Sequence, residues 1–462
     1  MPAFAEGHEA TGPCHTPNRC GKGFFYYLCS VKILRNISFG LAAVLTVVLI
    51  IATIAERFAG HRIYHTPVMI TLWLLTTLSG GLYLLCRRRW LTLGSALLHI
   101  AFIVILSGAA ITFFRGHEGK IMLHTDGPPA DIYLDTKGRF RPLGFEIRLL
   151  TPAHFQSIVT INQTDTSTIA VNHPLSVGRI RLYQTSVSTA TSTLIITDDF
   201  AGRTVTFTGY LLLALAAVIM VSHPSRRRER IGAKSGHTWL TAVSFALLAL
   251  QTAAILMKWL IFHRPPMADG GQALQIMAWA SLAIAAAASR RYHIIASSAL
   301  MVGGLLLIAG IVSGTWVRDV PLVPALDSPL LALHVVTVMS AYALFAVMTI
   351  VSARGMISPH SASQSAALSR SLALPAVLLL CAGIFIGALW ADRAWGRYWG
   401  WDPKETWALV TLLVYALPFH SRSFPALSRP SVANTYYLLA FLSVAITYFG
   451  VNYLFGGLHS YA

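Results

Sequence analysis

Long apolar runs recur along the chain and leave few architectures open. Roughly 20 residues in a helix cross the hydrocarbon core of a bilayer, and inside lipid every backbone polar group needs a partner within the chain. The runs therefore predict an all-α polytopic membrane protein. We expect about eleven spans, near residues 37–55, 68–86, 91–114, 206–222, 239–262, 273–289, 294–313, 330–352, 372–390, 406–420 and 433–455.

The distribution of charge agrees with membrane insertion. Charged residues make up only 11% of the 462 residues, whereas a soluble domain carries about 25%. The net charge of +17 comes from short basic clusters between the apolar runs, at 87–89, 226–228 and 290–291. Such clusters mark cytoplasmic loops, so no nucleic-acid partner is expected. They predict a multi-pass protein with a cytoplasmic N-terminus and an extracytoplasmic C-terminus.

Residues 115–205 interrupt the series of spans. This stretch is polar and rich in Thr, Val and Ile with a period of two, which predicts a small β-rich domain outside the membrane. The predicted organisation is an N-terminal extension (1–30), three spans (31–114), the β-rich domain (115–205), a fourth span (206–222), a cytoplasmic linker (223–238) and a membrane domain of seven spans (239–462).

The N-terminal extension carries Cys14 and Cys20, spaced as CHTPNRC. This spacing matches no strong zinc pattern, so a disordered tail is the favoured interpretation and metal binding the alternative. The apolar run from Ile37 to Ile54 is longer than the core of a typical signal peptide, and we interpret it as a span.

The most distinctive stretch is AWGRYWGWDPKETWALV, from Ala394 to Val410, which the predicted topology places at the outer surface. It contains four tryptophans within thirteen positions: Trp395, Trp399, Trp401 and Trp407. An interfacial belt needs only one or two rings per span end. The high density of tryptophans therefore indicates a binding surface for a flat ligand such as a porphyrin, because aromatic rings stack on the face of such a ligand.

Other residues of this stretch have two interpretations. Gly396 and Gly400 would let a flat ligand approach the backbone. The basic side chains Arg393, Arg397 and Lys404 can meet carboxylates such as porphyrin propionates. Asp402, by contrast, is also a good N-cap in the sequence DPKE, where Glu405 completes a capping box, so both acids can simply start the next helix.

Two histidines are predicted to lie outside and two within the membrane. His334 lies near the outer end of its span, and His459 lies just beyond the last span. His99 is ten residues into its span, roughly 15 Å deep, and His420 is roughly 20 Å below the outer edge. An ionisable residue at that depth suggests a functional site. The alternatives are a neutral histidine bonded to a neighbouring helix or, for His420, a position at the membrane boundary.

The stretch WGRYWGWDPKETWALV resembles the tryptophan-rich WWD signature of haem-handling proteins. The stretches VYALPFH, GVNYLFGGLHSYA and SPLLALHVVTVMSAYA resemble CcsA proteins over residues 240–462. Residues 30–222 are similar to CcsB (ResB-like) proteins, and GSALLHIAFIVILSGAAIT looks like the CcsB segment that supplies a membrane histidine. Together the two parts resemble the fused CcsB–CcsA cytochrome c synthases of system II.

This resemblance implies that haem b is the substrate and that histidines are its axial ligands. His99 and His420 would bind haem within the membrane, and His334, His459 and the tryptophan stretch, including Arg397 and Asp402, would bind it outside. Haem vinyl groups would there meet the thiols of a CXXCH motif in apocytochrome c. Expected partners are therefore haem, apocytochrome c, membrane lipid and a thioredoxin-like protein that keeps thiols reduced. No catalytic acid or base is assigned.

Two other functions stay open at this point. One is a haem exporter or chaperone that delivers haem to a separate synthase, because the WWD signature alone does not define a synthase. The other is an unrelated multispan transporter, against which the tryptophan density argues.

Overall fold

The computed structural model describes residues 31–60, 63–87, 91–153, 155–222, 238–267, 269–314 and 324–455. The N-terminal extension with Cys14 and Cys20, residues 223–237 of the predicted linker, and the last seven residues with His459 lie outside the described residues.

Within these ranges the protein is mainly helical, as expected for a polytopic membrane protein. Ten helices are long and apolar enough to cross a membrane. In chain order the α-helices are α1 (Val31–Ala59), α2 (Pro67–Arg87), α3 (Leu93–Arg115), α4 (Phe200–Ser222), α5 (Thr238–Phe262), α6 (Gly270–Ala288), α7 (His293–Val312), α8 (Pro329–Ile357), α9 (Ala362–Trp395), α10 (Pro403–Ala416) and α11 (Pro430–Ala445).

The expected continuous span at 406–420 is wrong in one respect. Helix α10 has only 14 residues and continues as a 3₁₀ turn, Leu417–His420. Pro418 has no backbone N–H to donate, which favours the end of the α-helix here. Helix and turn together rise about 29 Å, close to the thickness of the hydrocarbon core. The α-helix and the 3₁₀ turn together are therefore long enough to cross the hydrocarbon core as a composite element that ends at His420.

Helix α9 is much longer than the expected span at 372–390. Its 34 residues rise about 51 Å, more than a bilayer core requires. The first ten residues are helical because they pack against neighbouring helices. The Ser369 hydroxyl lies 2.9 Å from that of Ser352 on α8, and Asn434 on α11 donates to the carbonyl of Ala362. Tertiary contacts thus make the helix begin about ten residues before the start at residue 372 that hydropathy predicts.

The β-rich domain is one antiparallel sheet of eight strands in the order β5-β4-β3-β2-β1-β8-β7-β6. The strands are β1 (His117–His124), β2 (Ala130–Asp135), β3 (Phe140–Ala153), β4 (Gln156–Ile161), β5 (Asp165–Ala170), β6 (Leu175–Val177), β7 (Ile180–Val187) and β8 (Thr191–Asp198). Alternating burial along β3, β4 and β8 directs one face inward, as the period of two predicts.

The sheet curls on itself to form a small core. Ser157 on β4 donates to Ser192 on β8, although three strands separate them in the sheet. Ile147, Leu182 and Ile196 are completely buried between the two halves. Curling is therefore what allows about 80 residues to bury an apolar interior.

The β-rich domain is inserted in the chain between two helices that pack against each other. Helix α3 leads into β1 and β8 leads into α4, and His117 pairs with Asp198 where the two strands begin and end. Small residues let the two helices pack closely: a Cβ at Gly108 would lie 2.5 Å from the backbone nitrogen of Thr206. We call the end of the bundle that carries this domain the β-domain side.

Candidate functional site

The tryptophan loop, residues 396–402, connects α9 to α10 on the β-domain side. Gly396 ends α9 in the left-handed conformation (φ 78°), which suits a residue without Cβ. Asp402 caps α10, and Glu405 completes the capping box that the DPKE pattern predicts. Both carboxylates therefore have a structural role in starting this helix.

Trp401 has an unusual backbone conformation, with φ at +57°. For a bulky residue this conformation costs about 1–3 kcal/mol. The Glu405 carboxylate compensates locally, because the same oxygen accepts from the backbone N–H groups of Gly400 (2.8 Å) and Asp402 (3.2 Å) on either side of Trp401. The loop is thus tied to the first turn of α10.

The four tryptophans of the motif pack in two different clusters. Trp395 makes an edge contact with Trp390 (ring centroids 4.6 Å apart) beside α8. Trp401 and Trp407 belong to another cluster, formed with α1 and α2 of the front part. Trp399 is half-buried and makes an edge contact with Trp401 at 5.7 Å. The structure therefore distributes the rings over two surfaces.

Protein side chains lie against the two glycines of the loop. A Cβ on Gly396 would lie 3.0 Å from the ring of Tyr183, on β7. A Cβ on Gly400 would lie 3.2 Å from Nε of Arg397, whose exposed side chain folds over the backbone there. Gly396 thus lets the β-rich domain approach the loop closely.

His334 lies in the interface between α8 and α9. Its Nδ1 is 2.7 Å from the carbonyl of Gly383. A Cβ on Gly387 would lie 2.6 Å from the same nitrogen, so α9 needs a glycine there for the imidazole to fit. Gly387 precedes Trp395 by eight residues, which places His334 about 12 Å along the helix from the tryptophan loop.

His99 and His420 face each other at the opposite end of the bundle. Their ring centroids are 6.2 Å apart with the planes at 87°. Each Nδ1 bonds a carbonyl of its own helical segment, Ser95 at 2.7 Å and Ala416 at 3.1 Å. Nδ1–H donation to these carbonyls leaves Nε2 as the acceptor nitrogen of each ring. His99 lies six residues into α3, about 9 Å along the helix axis from its first residue, whereas ten residues and 15 Å were expected.

The surroundings of this histidine pair come from both parts of the chain. Phe39 on α1 packs its ring edge against His420 (5.3 Å between centroids), and the hydroxyls of Tyr83 and Ser423 are 3.5 Å apart. Among the described residues no group of three or more His, Cys, Asp or Glu could hold a bare metal ion. Two imidazoles are, however, a suitable set for haem iron.

Sequence patterns did not predict the polar contacts that dock the β-rich domain. Arg181 on β7 donates to Asp392 on α9 at 2.8 Å. The Asn172 amide donates to three carbonyls just before α8, those of Pro324, Ala325 and Asp327. Only a three-dimensional arrangement brings these groups together.

A second set of polar contacts ties the tryptophan loop to α3 and α4. The Tyr398 hydroxyl lies 2.5 Å from that of Thr112, and Thr112 donates to Asp199 at 2.7 Å. Thr206 on α4 donates to Tyr398 at 3.4 Å. Burial raises the pKa of Tyr398 and that of Asp199 above their usual values. Tyr398, in the centre of the motif, thus links the tryptophan loop to α3 and α4, a role that the sequence patterns did not predict.

The fold and this site define a polytopic membrane protein in which a tryptophan-rich loop and a histidine pair lie at opposite ends of one bundle. Residues 240–459 match the model of the cytochrome C assembly protein family, and residues 86–217 match that of the ResB-like family. The predicted resemblance is therefore confirmed for both parts of the chain.

Curated relatives agree with this assignment. The chain is 32% identical over 301 residues to the cytochrome c biogenesis protein CcsA of Synechococcus sp. (strain CC9605), covering 55% of this chain and 94% of that protein. It is 31% identical over 234 residues to the protein NrfI of Wolinella succinogenes, covering 48% of this chain but only 26% of NrfI. CcsA of Pyropia yezoensis is 52% identical over 85 residues, 18% of this chain and 26% of that protein. The chain belongs to the CcsA family of cytochrome c assembly proteins and carries a ResB-like front part.

Proposed function

We propose that the protein carries haem b across a bacterial inner membrane and attaches it to the two cysteines of a CXXCH motif in apocytochrome c. It would thus be a holocytochrome c synthase of the lyase type. Membership of the cytochrome c assembly family supports this proposal, as do relatives named for cytochrome c biogenesis and the ResB-like front part. In the proposed orientation the N-terminus is cytoplasmic, and the β-rich domain and tryptophan loop are extracytoplasmic.

The observation that carries the proposal is the pairing of His99 with His420. Metal–imidazole bonds of about 2 Å, plus roughly 1 Å from each nitrogen to its ring centre, separate two axial rings by about 6 Å. The ring centroids here are 6.2 Å apart. Each part of the chain supplies one ligand, and hydrogen bonds to Ser95 and Ala416 fix the tautomer that leaves Nε2 for iron. The pair therefore suits an inner haem site.

We place the outer haem site near the tryptophan loop, with His334 and His459 as axial ligands. The half-buried Trp399 and the exposed Arg397 are available to a ring and to a propionate. In the neighbouring cluster, the indole N–H groups of Trp73 and Trp407 are buried, with no hydrogen-bond partner among the described residues. Buried donors of this kind favour a substrate that brings acceptor oxygens.

The attachment reaction needs positioning more than acid–base chemistry. Each thiol adds across a vinyl C=C bond, so that one S–C and one C–H bond form while the S–H bond and the π bond break. The addition is redox-neutral. Holding two thiols against two vinyl groups is the main contribution a protein can make, and axial histidines would keep the porphyrin in register. A thioredoxin-like protein would keep the thiols reduced, and membrane lipid surrounds the bundle.

The decisive experiment is co-expression with a CXXCH cytochrome in bacterial cells that lack their own maturation system. We expect covalent haem on the cytochrome with the intact chain and little with His420→Ala. His124→Ala, at an exposed histidine on β1, is the matched control and should mature the cytochrome normally. Haem bound by the purified protein without covalent transfer would instead identify an exporter or chaperone. A folded protein without Soret absorbance would exclude haem handling.

A further inference from the structure

Tyr64, between α1 and α2 on the β-domain side, is held rigidly. Only 4% of the residue is exposed. Its hydroxyl is 2.7 Å from that of Thr53 on α1, and its backbone N–H donates to Glu56 at 3.2 Å. Burial raises the pKa of the phenol above its usual value, so Tyr64 is neutral over the physiological range. The ring is therefore a fixed surface provided by the front part.

Trp401 lies on that surface. The two rings are parallel within 6°, and their centroids are 4.8 Å apart, a stacked arrangement. Trp73 on α2 lies at 6.1 Å, tilted by 45°, and Trp399 contacts Trp401 edge-on. Tyr64 thus covers one face of Trp401, and the orientation of Trp401 in turn limits where Trp399 can lie.

The backbone of Trp401 explains why an external support is useful. Its left-handed φ of +57° is unfavourable for a tryptophan. The Glu405 carboxylate holds the flanking N–H groups of Gly400 and Asp402 but does not determine where the indole points. Two supports therefore act on different parts of the residue: Glu405 on the backbone from α10, and Tyr64 on the ring from the front part.

We infer that Tyr64 is a positioning residue for the outer haem site: by stacking on Trp401 it sets the conformation of the tryptophan loop. The ResB-like part would then complete a site whose other residues come from the CcsA part. This inference rests on the proposed function for its catalytic consequence, whereas the positioning itself can be measured without haem.

A purely space-filling role for Tyr64 makes a different prediction. A leucine can fill much of the apolar volume beside Leu45, Leu49 and Met69, but it offers no flat face. A phenylalanine keeps the face and loses only the hydroxyl contact with Thr53. The positioning role therefore predicts that Tyr64→Phe behaves like the wild type and that Tyr64→Leu does not.

The test uses the full-length protein labelled with 5-fluorotryptophan and studied by fluorine NMR in detergent. The Trp399 signal is assigned by its loss in Trp399→Phe. Trp399 contacts Trp401 edge-on, so we expect Tyr64→Leu to shift the Trp399 signal because Trp401 moves, and Tyr64→Phe to leave it nearly in place. Haem attached to a co-expressed CXXCH cytochrome, per amount of folded protein, should fall roughly 3- to 10-fold in Tyr64→Leu and recover in Tyr64→Phe.

Each other outcome is decisive. An unchanged Trp399 signal in Tyr64→Leu overturns the inference, and so does a shifted signal with unchanged haem attachment. If Tyr64→Leu does not accumulate, Tyr64→His, with its smaller ring, replaces it and should give an intermediate shift. If even the wild type attaches no haem, the proposed function fails, and the fluorine shift alone then decides whether Tyr64 positions Trp401.

Discussion

At the scale of single residues, Asp402 and Gly396 show how local geometry serves the tryptophan loop. Asp402 caps α10 through Lys404 N–H at 2.9 Å, within a capping box with Glu405. Gly396 ends α9 with a positive φ, and the Tyr183 ring lies directly above it. One residue starts a helix and the other allows a domain to approach.

We expect Asp402→Asn to be milder than Asp402→Ala. Asn is a comparable N-cap, whereas Ala costs about 1 kcal/mol at this position. Hydrogen exchange of the first-turn amides of α10, followed by mass spectrometry, should be about fivefold faster in the alanine variant. If the asparagine variant loses cytochrome maturation as completely as the alanine variant, the carboxylate acts beyond capping.

Gly396→Ala should destabilise the protein by about 1–2 kcal/mol, because alanine disfavours φ of +78° and its methyl group would crowd Tyr183. Gly80→Ala is the matched control. Gly80 lies within helix α2, no atom lies within 4 Å of an added Cβ, and alanine is the better helix former. Thermal unfolding in detergent compares the two. Equal melting temperatures would contradict the close approach of Tyr183 to the loop.

At the scale of elements, the β-rich domain docks on α9 through one ion pair at a buried carboxylate. Asp392 is 3% exposed and pairs with Arg181 of β7. Nearby, Tyr398 joins the tryptophan loop to Thr112 on α3 and to Thr206 on α4. The domain therefore contacts the chain at the start of the loop that carries the proposed outer site, and the helix pair that flanks the domain holds the middle of this loop.

Arg181→Ala should undock the domain locally, because it leaves the Asp392 carboxylate buried without its partner, at a cost of about 3 kcal/mol. The double variant Arg181→Met with Asp392→Leu should be closer to the wild type, since the buried carboxylate is then removed together with its partner. Limited proteolysis of the domain and hydrogen exchange along β7 provide the measurements. A single variant as protected as the wild type would show that the pair contributes nothing to docking.

At the scale of the whole molecule, the two proposed haem sites lie at opposite ends of the bundle. The front part contributes His99 to the inner site and Tyr64 to the surroundings of the outer one, whereas the CcsA part contributes His420 and the tryptophan loop. The two parts of the chain thus share both sites.

We expect external imidazole to rescue His99→Ala and His420→Ala better than His334→Ala or His459→Ala. At the inner site a free imidazole need only occupy an axial position while haem passes. At the outer site the ligand must also orient vinyl groups against thiols, which an untethered imidazole does not do. Covalent haem on a co-expressed cytochrome, with and without imidazole, measures the difference. Equal rescue at both sites would contradict a passage of haem from the inner site to the outer one.

Local patterns in the sequence determined the elements of this protein. Apolar runs predicted the membrane helices, because a helix in lipid must be long and apolar, and the period of two in residues 115–205 predicted strands. The capping box at Asp402 was readable because its two partners are three residues apart. Such features depend on neighbours in sequence, so the order of residues is sufficient to predict them.

Tertiary structure alone decided which of these elements meet. The stack of Tyr64 on Trp401 joins residues more than 300 positions apart, and the type of neither residue predicts this contact. The pairing of Arg181 with Asp392 and the extension of α9 to Ala362 likewise depend on packing between distant helices and strands. The physical reason is that contact energies between distant segments depend on chain topology, whereas capping and periodicity act within a few residues.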